Sequence, residues 1–249
     1  MKRGMKAQTI FLNSLFWSFF VVSSSILVVG GLLLLLITLP FDPNRKILQQ
    51  YSCFWASLYL WGNPFWSARI RGLENVDRRK VYVMVSNHQS MADILVIFRS
   101  FLHFKWVAKK SLFKVPLLGW NMFLNGYVPI ERGDAESRDR CLQRCHQWLK
   151  KGSSIFFFPE GTRSPDGEMK PFKQGAFRLA LQSRTDILPI VIRGSRHAIP
   201  KHSLLLHGKS KMELEVLPAI PVKEFDSSQL DAESKRLADF TYQRIRAAL

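Results

Sequence analysis

Val81-Tyr82-Val83-Met84-Val85-Ser86-Asn87-His88-Gln89-Ser90-Met91-Ala92-Asp93-Ile94-Leu95 is the stretch whose reading decides the fold. Its first five residues are β-branched, aromatic or apolar without a polar break. That is the pattern of a strand buried on both faces, and the run stops at Ser86-Asn87. A helix is predicted from near Ser90. Ser90 caps it, Asp93 stands three positions on in a capping-box spacing, and Ile94, Leu95, Ile97 and Phe98 supply the apolar face.

The same alternation continues downstream. Strand-like runs at 81–86, 127–130, 154–158, 187–192 and 211–217 are separated by helical stretches near 92–101, 135–150 and 175–182. A last amphipathic helix carries Leu237, Phe240, Ile245 and Ala248 on one face. The predicted fold class is therefore α/β: a mixed, mostly parallel sheet covered by helices on both faces, with an N-terminal membrane-embedded helical segment. Sites in such sheets lie at the carboxyl ends of the strands. Residues 1–66 are assigned to a membrane anchor with an interfacial amphipathic helix, and residues 67–249 to the α/β domain.

At the first strand exit, four residues separate His88 from Asp93. His88 falls in the turn and Asp93 in the first helical turn, where the helix dipole favours a carboxylate. An aspartate there can hold one imidazole nitrogen and leave the other free to take a proton. This is a general base with its orienting carboxylate, suited to chemistry on a hydroxyl group. Equally, Asp93 can do no more than cap the helix, and His88 no more than satisfy backbone groups.

The N-terminal region sets the environment. No charged residue occurs between Lys6 and Asp42, and residues 11–39 are almost wholly apolar. As one straight helix they would extend ~43 Å, against ~30 Å of hydrocarbon in a bilayer. A secretory signal fits poorly, because its apolar region is only ~7–15 residues long. The stretch is expected to be either a tilted single span or a helical hairpin re-entering the same leaflet, with Ser23-Ser24-Ser25 and Gly30-Gly31 as bend points; of the two, insertion with both ends on the cytoplasmic side is favoured. Lys2, Arg3 and Lys6 flank one end and Arg45 and Lys46 the other, so charge bias alone sets no orientation. Beyond it, Ile47, Leu48, Tyr51, Phe54, Trp55, Leu58 and Tyr59 recur at helical spacing. Such a helix can lie among headgroups or pack on the domain core, and its two faces can do both.

A formal net charge of +17 over 249 residues calls for an anionic partner. Helix-turn-helix, zinc-finger and RNA-binding signatures are absent, and a long apolar anchor is at odds with nucleic-acid binding. Anionic membrane lipids and phosphorylated substrates remain. Three cysteines argue against a disulfide framework and a structural zinc. Cys141 and Cys145 share a helical stripe with Leu142, Trp148 and Leu149, which packing explains; no metal is assigned.

Two further strand exits stand out: Gly126-Tyr127-Val128-Pro129-Ile130-Glu131-Arg132, and Phe156-Phe157-Phe158-Pro159-Glu160-Gly161-Thr162-Arg163-Ser164. Arginine presents a planar fork of donors matched to phosphate oxygens, so Arg132 and Arg163 are candidate anchors for a phosphomonoester. Read singly, each is a surface charge.

Taken together, Asn-His-x-x-x-x-Asp, Gly-x-x-x-Ile-x-Arg, Phe-Pro-Glu-Gly-Thr-Arg-Ser and Leu188-Pro189-Ile190 occur in an order that resembles the glycerolipid acyltransferases of the lysophosphatidate acyltransferase type. The match spans about residues 70 to 220, and the segment Ala108-Lys109-Lys110-Ser111-Leu112-Phe113 resembles that family's basic block. Glu131 stands where the family often has aspartate. The resemblance implies acyl transfer from a thioester, carried by coenzyme A or acyl carrier protein, to the sn-2 hydroxyl of lysophosphatidic acid, giving phosphatidic acid. His88 would take the hydroxyl proton and Asp93 would orient it, with no acyl-enzyme and no cofactor beyond the donor. Lys109, Arg132 and Arg163 would hold the acceptor phosphate, and Glu160 would contact the acceptor glycerol or orient a base. Gly126, Gly161 and Thr162 are grouped with the substrate-binding residues, with amides around Gly161 as oxyanion donors. Glycerol 3-phosphate or another lysophospholipid is the alternative acceptor, and a non-catalytic lipid-binding protein the alternative class. The expected setting is a bacterial inner membrane, with the catalytic domain on the cytoplasmic side.

Overall fold

The computed structural model describes residues 2–164, 167–196, 198–199 and 209–249, with side chains from residue 13 onward. The side chains of Lys2, Arg3 and Lys6, and Pro165-Asp166 of the third loop, lie outside the described residues. In chain order the elements are α1 (Lys2–Thr38), α2 (Lys46–Trp61), β1 (Trp66–Arg71), β2 (Val83–Ser86), α3 (Ala92–Phe98), β3 (Phe104–Lys109), α4 (Leu118–Leu124), β4 (Val128–Ile130), α5 (Ala135–Lys150), β5 (Ser154–Phe157), α6 (Gly175–Ser183), β6 (Ile187–Arg193), β7 (Ser210–Val216) and α7 (Leu230–Ala247).

The seven strands form one sheet in the order β1-β7-β6-β2-β5-β3-β4. Every pairing is parallel except β6 with β7. Because successive strand residues point to opposite faces, β2 feeds two cores. Met84 joins Phe104, Trp106, Phe156, Leu188 and Ile190 beneath α2 and α3. Val83 and Val85 join Ile155 and Val191 beneath α5, α6 and α7, which contribute Cys141, Cys145, Phe177, Leu181, Leu237 and Ile245. Helices thus cover both faces, and β2, apolar from Val83 to Val85, is the central strand.

Two strands were not anticipated. Lys105 and Lys109 interrupt the apolar character of β3, yet the Lys105 side chain is wholly buried in the sheet. In β1 only alternate residues are covered, and its leading Trp66 reads equally well as an interfacial aromatic.

α1 is continuous through both suggested bend points, which overturns the hairpin alternative. Its serines are satisfied without leaving the helix: Ser23 Oγ donates to the Phe19 carbonyl at 2.6 Å and Ser25 Oγ to that of Val21 at 2.9 Å. Ser24 Oγ lies 3.0 Å from the Tyr59 hydroxyl of α2. The glycine pair serves close approach instead, since a Cβ on Gly30 would stand 2.6 Å from the Tyr51 hydroxyl. Among the described residues α1 holds the one stretch long and apolar enough to cross a membrane, Asn13–Thr38, with mean hydropathy 2.7. α2 has both of its expected faces. Leu48, Cys53, Ala56 and Leu60 are buried, while Ile47, Phe54 and Trp61 point outward.

Candidate active site

The strand-to-helix turn after β2 is built by side chains that replace backbone pairing. Asn87 continues the ladder toward β6: its Nδ2 donates to the Ile192 carbonyl at 2.9 Å, and its Oδ1 accepts from the Ile192 amide at 2.9 Å. One buried amide side chain thus does what a strand residue would do, and frees the chain to turn at His88.

His88 Nδ1 lies 2.7 Å from Asp93 Oδ2, with Asp93 wholly buried and the histidine side chain 15% exposed. The same carboxylate oxygen accepts the amides of Gln89 at 2.8 Å and Ser90 at 2.9 Å. The Ser90 bond is half of the predicted capping box. The other half differs, because Ser90 Oγ takes the Ala92 amide and donates to the Ile199 carbonyl. Capping and orienting are therefore not alternatives, since one carboxylate oxygen does both. With the Asp93 carboxylate accepting from Nδ1, Nε2 is the ring nitrogen left without a proton in the neutral imidazole. The imidazole is also clamped in plane, stacked on the Phe158 ring at a centroid distance of 3.8 Å and an interplanar angle of 14°.

The loop after β5 holds the histidine's backbone from both sides. Glu160 Oε1 accepts the His88 amide at 2.7 Å, and the Ser164 amide donates to the His88 carbonyl at 2.9 Å. Glu160 Oε2 accepts the Lys170 amide at 3.0 Å. Burial pushes the Glu160 carboxyl above the usual range; the Lys170 and His88 amides pull it down, and the nearby Asp93 adds to the upward push. Both Glu160 oxygens are thus engaged by backbone amides, one of them that of His88.

The other expected site residues are dispersed. Arg163 and Thr162 lie partly exposed on the β5 loop that grips His88. Lys109 ends β3 and Arg132 follows β4, both exposed. With β5 and β3 between, a strand spacing of ~4.8 Å puts the Lys109 exit ~10 Å and the Arg132 exit ~14 Å across the sheet from His88. Two expectations need correction. Gly126 precedes β4, at the opposite end of the parallel strands from His88. Its φ of +70° and the contacts a Cβ would make, 2.7 Å to Trp148 and 2.9 Å to Arg45, mark it as a packing glycine. The Gly161 amide donates to the Phe158 carbonyl at 3.0 Å, closing a turn with φ +72°, and so is not aimed at an oxyanion.

Sequence reasoning missed the roles of Asn87, Phe158 and the Ser164 amide. Only Asn87 carried a signal, as a polar amide ending an apolar strand. Among the described residues no three His, Cys, Asp or Glu side chains gather as a metal site. Burial pushes the Cys53 thiol up to about 12, so it offers no thiolate nucleophile.

The family model described as Acyltransferase matches residues 67–193. The chain is 41% identical over 180 residues to the chloroplastic 1-acyl-sn-glycerol-3-phosphate acyltransferase LPAT1 of Arabidopsis thaliana, which covers 70% of this chain and 49% of the relative. It is 34% identical over 176 residues to the 1-acyl-sn-glycerol-3-phosphate acyltransferase of Saccharomyces cerevisiae, covering 69% and 57%. The chain thus spans about half the length of these curated relatives. In fold it is similar to the crystal structure of the 1-acyl-sn-glycerophosphate acyltransferase PlsC from Thermotoga maritima, with a TM-score of 0.74, 24% identity, and coverage of 98% of this chain and 97% of that one.

Proposed function

Because the chain belongs to the acyltransferase family, we propose that it transfers a fatty acyl group from an acyl thioester to the sn-2 hydroxyl of 1-acyl-glycerol 3-phosphate, giving phosphatidic acid. The observation that carries the mechanism is the 2.7 Å bond between His88 Nδ1 and the buried Asp93. It leaves Nε2 to remove the acceptor's proton as the hydroxyl oxygen attacks the thioester carbonyl. The tetrahedral intermediate then expels the thiolate, and the imidazolium returns the proton to it. No side-chain nucleophile intervenes, because the acceptor alcohol occupies that place. Asp93 favours the imidazolium that forms between the two steps, and Phe158 keeps the ring from turning away.

Arg163 is the arginine on the loop that also positions His88, so it is the first candidate to hold the acceptor phosphate. Lys109 and Arg132, farther across the sheet, are proposed to complete the anionic surface for acceptor and donor. The donor is coenzyme A- or carrier protein-linked, and no further cofactor is called for. The proposed setting is the inner membrane of a bacterial cell, with the catalytic domain on the side where acyl thioesters are made. α1 packs along α2 and α4 rather than standing clear of the domain, which supports membrane association of the helix and the domain as one unit; that both of its ends lie on that side is proposed for a continuous helix lying along one leaflet.

The test offers one labelled acyl thioester to purified protein with lysophosphatidate, glycerol 3-phosphate or a neutral lysolipid, alongside a His88→Ala control. Acylation of lysophosphatidate ahead of the other acceptors, lost in the control, is the expected result. Transfer to none of them overturns the enzyme reading.

A further inference from the structure

At the end of the sheet away from His88, the elbow between α1 and α2 (39–45) is pinned to the α/β domain by cations that the proposed chemistry does not use. Lys105, in β3, is wholly buried, and its Nζ donates to the carbonyls of Asn44 at 2.8 Å and Asn125 at 2.9 Å. Arg45 Nη1 donates to the carbonyls of Phe123 and Leu124. Three cationic groups surround one indole. Lys105 Nζ stands 4.7 Å from the Trp148 ring centroid, Lys151 Nζ 5.3 Å and the Arg45 guanidinium 6.0 Å. Lys46, the first residue of α2, adds an exposed fourth.

Set against them, the carboxylate that acts on Lys105 among the described residues is Asp42, and its Oδ2 already accepts the Ile47 amide at 2.7 Å. Arg45 repels Lys105 across this engaged carboxylate, and Lys46 and Lys105 both act on the neighbouring His103. Burial, and after it the neighbouring Arg45, push the Lys105 ammonium down to about 7. An anion at this spot would relieve the repulsion, and the guanidinium and ammonium donors gathered around the indole suit phosphate oxygens.

The surroundings identify the source of the phosphate. Leu39, Phe41 and Ile47 are exposed beside the cations, with Phe41 67% accessible. They continue the exposed apolar surface of α1 through Leu32, Leu33, Leu36 and Ile37. Apolar side chains beside lysine and arginine at the end of a long apolar helix are the arrangement of a headgroup boundary. Inorganic phosphate would use only the cations and leave Phe41 unexplained.

We propose that the elbow is a binding site for the phosphate of an anionic phospholipid, held by Arg45, Lys46 and Lys151 beside Trp148, with Leu39, Phe41 and Ile47 among the acyl chains. The site rests on the placement of α1 in a membrane and not on the acyl-transfer reading. A lipid held here is at the opposite strand ends from His88, so it is a structural or regulatory ligand and not the acceptor in turnover.

The experiment measures co-flotation of the full chain with vesicles of phosphatidylcholine alone and of phosphatidylcholine with a minority of phosphatidate. The variant is Lys46→Gln/Lys151→Gln, neither side chain bonding to the backbone. The charge-matched control is Lys223→Gln/Lys235→Gln, two exposed lysines before and within α7. The site variant should lose roughly tenfold in partition to the phosphatidate vesicles and nothing on phosphatidylcholine, while the control loses less than about threefold. Headgroup-linked nitroxide lipid should quench fluorescence assigned to Trp148 by difference from Trp148→Phe, and inorganic phosphate should not displace it. Equal losses in both double variants would reduce the effect to diffuse charge, and displacement by inorganic phosphate would make it a free-phosphate site; either overturns the proposal. Acylation of detergent-dispersed lysophosphatidate should survive in the site variant, so failure here is distinguishable from failure of the acyl-transfer reading.

Discussion

Replacing Asp93 by asparagine isolates the charge of the orienting group from its shape. In the native site Asp93 Oδ2 holds three donors, from His88, Gln89 and Ser90, while Oδ1 is buried with no hydrogen-bond partner among the described residues. Asparagine can keep its carbonyl oxygen on the two backbone amides, so the turn should survive. Alanine would strand two buried N–H groups at ~1–3 kcal/mol each and confuse folding with catalysis. The asparagine variant still loses the negative charge that stabilises the imidazolium, and its NH₂ is forced either into the pocket around Oδ1 or against Nδ1. In the second case Nδ1 must become the acceptor and Nε2 carries the proton, the wrong tautomer for a base. The expected loss in kcat is ~10²–10⁴, with little change in the KM for lysophosphatidate. The assay is thiol release from an acyl thioester by purified protein, with thermal unfolding measured on the same samples. A variant that keeps more than about a tenth of native kcat would refute the assignment of Asp93 as the charged partner of a general base.

Other substitutions separate the neighbouring roles. Glu160→Gln presents an NH₂ to one of two backbone amides that need acceptors, and so should lower kcat through a displaced His88 while leaving acceptor KM near native; a change in KM alone would return Glu160 to acceptor binding. Arg163→Ala should raise the KM for lysophosphatidate by an amount matching ~1.5–3 kcal/mol, with no such rise for a neutral acceptor in the same assay. Gly126→Ala should cost ~1–2 kcal/mol of stability from its positive φ alone, with native kinetics in the protein that remains folded. Lys105→Met tests a pH dependence. A lysine held near 7 in the folded chain but at its ordinary 10.5 when unfolded binds more protons unfolded between those values, so native stability should rise with pH across that window. The rise should flatten in the methionine variant, as read from denaturant midpoints at several pH values.

The elements that sequence predicted are those whose local pattern matches their burial. The run from Val83 to Val85 is apolar because both faces of the central strand are covered, and the helix at 135–150 shows its Cys141, Cys145 and Leu149 stripe because only one of its faces is. β3 was hidden because a lysine, normally a surface marker, is buried with its ammonium satisfied by carbonyls from two distant segments. The long apolar helix was legible from composition, but its continuity was not. That depends on serines bonding within the helix and on Tyr51 occupying the space beside Gly30, and a window of residues records neither.

The order and identity of the motif residues, by themselves, determined the family and marked His88 and Asp93 as a pair, because a turn of a few residues keeps the two side chains within reach of each other. What only the tertiary structure decided is everything that depends on separate strands meeting. Glu160 holds the His88 backbone across more than seventy residues of chain, Phe158 lies against the imidazole, Asn87 joins β2 to β6, and Gly126 falls at the far edge of the sheet. Local sequence encodes side-chain chemistry and short-range geometry; which strand ends share an edge is set by sheet order, and that follows from packing both faces of the sheet at once.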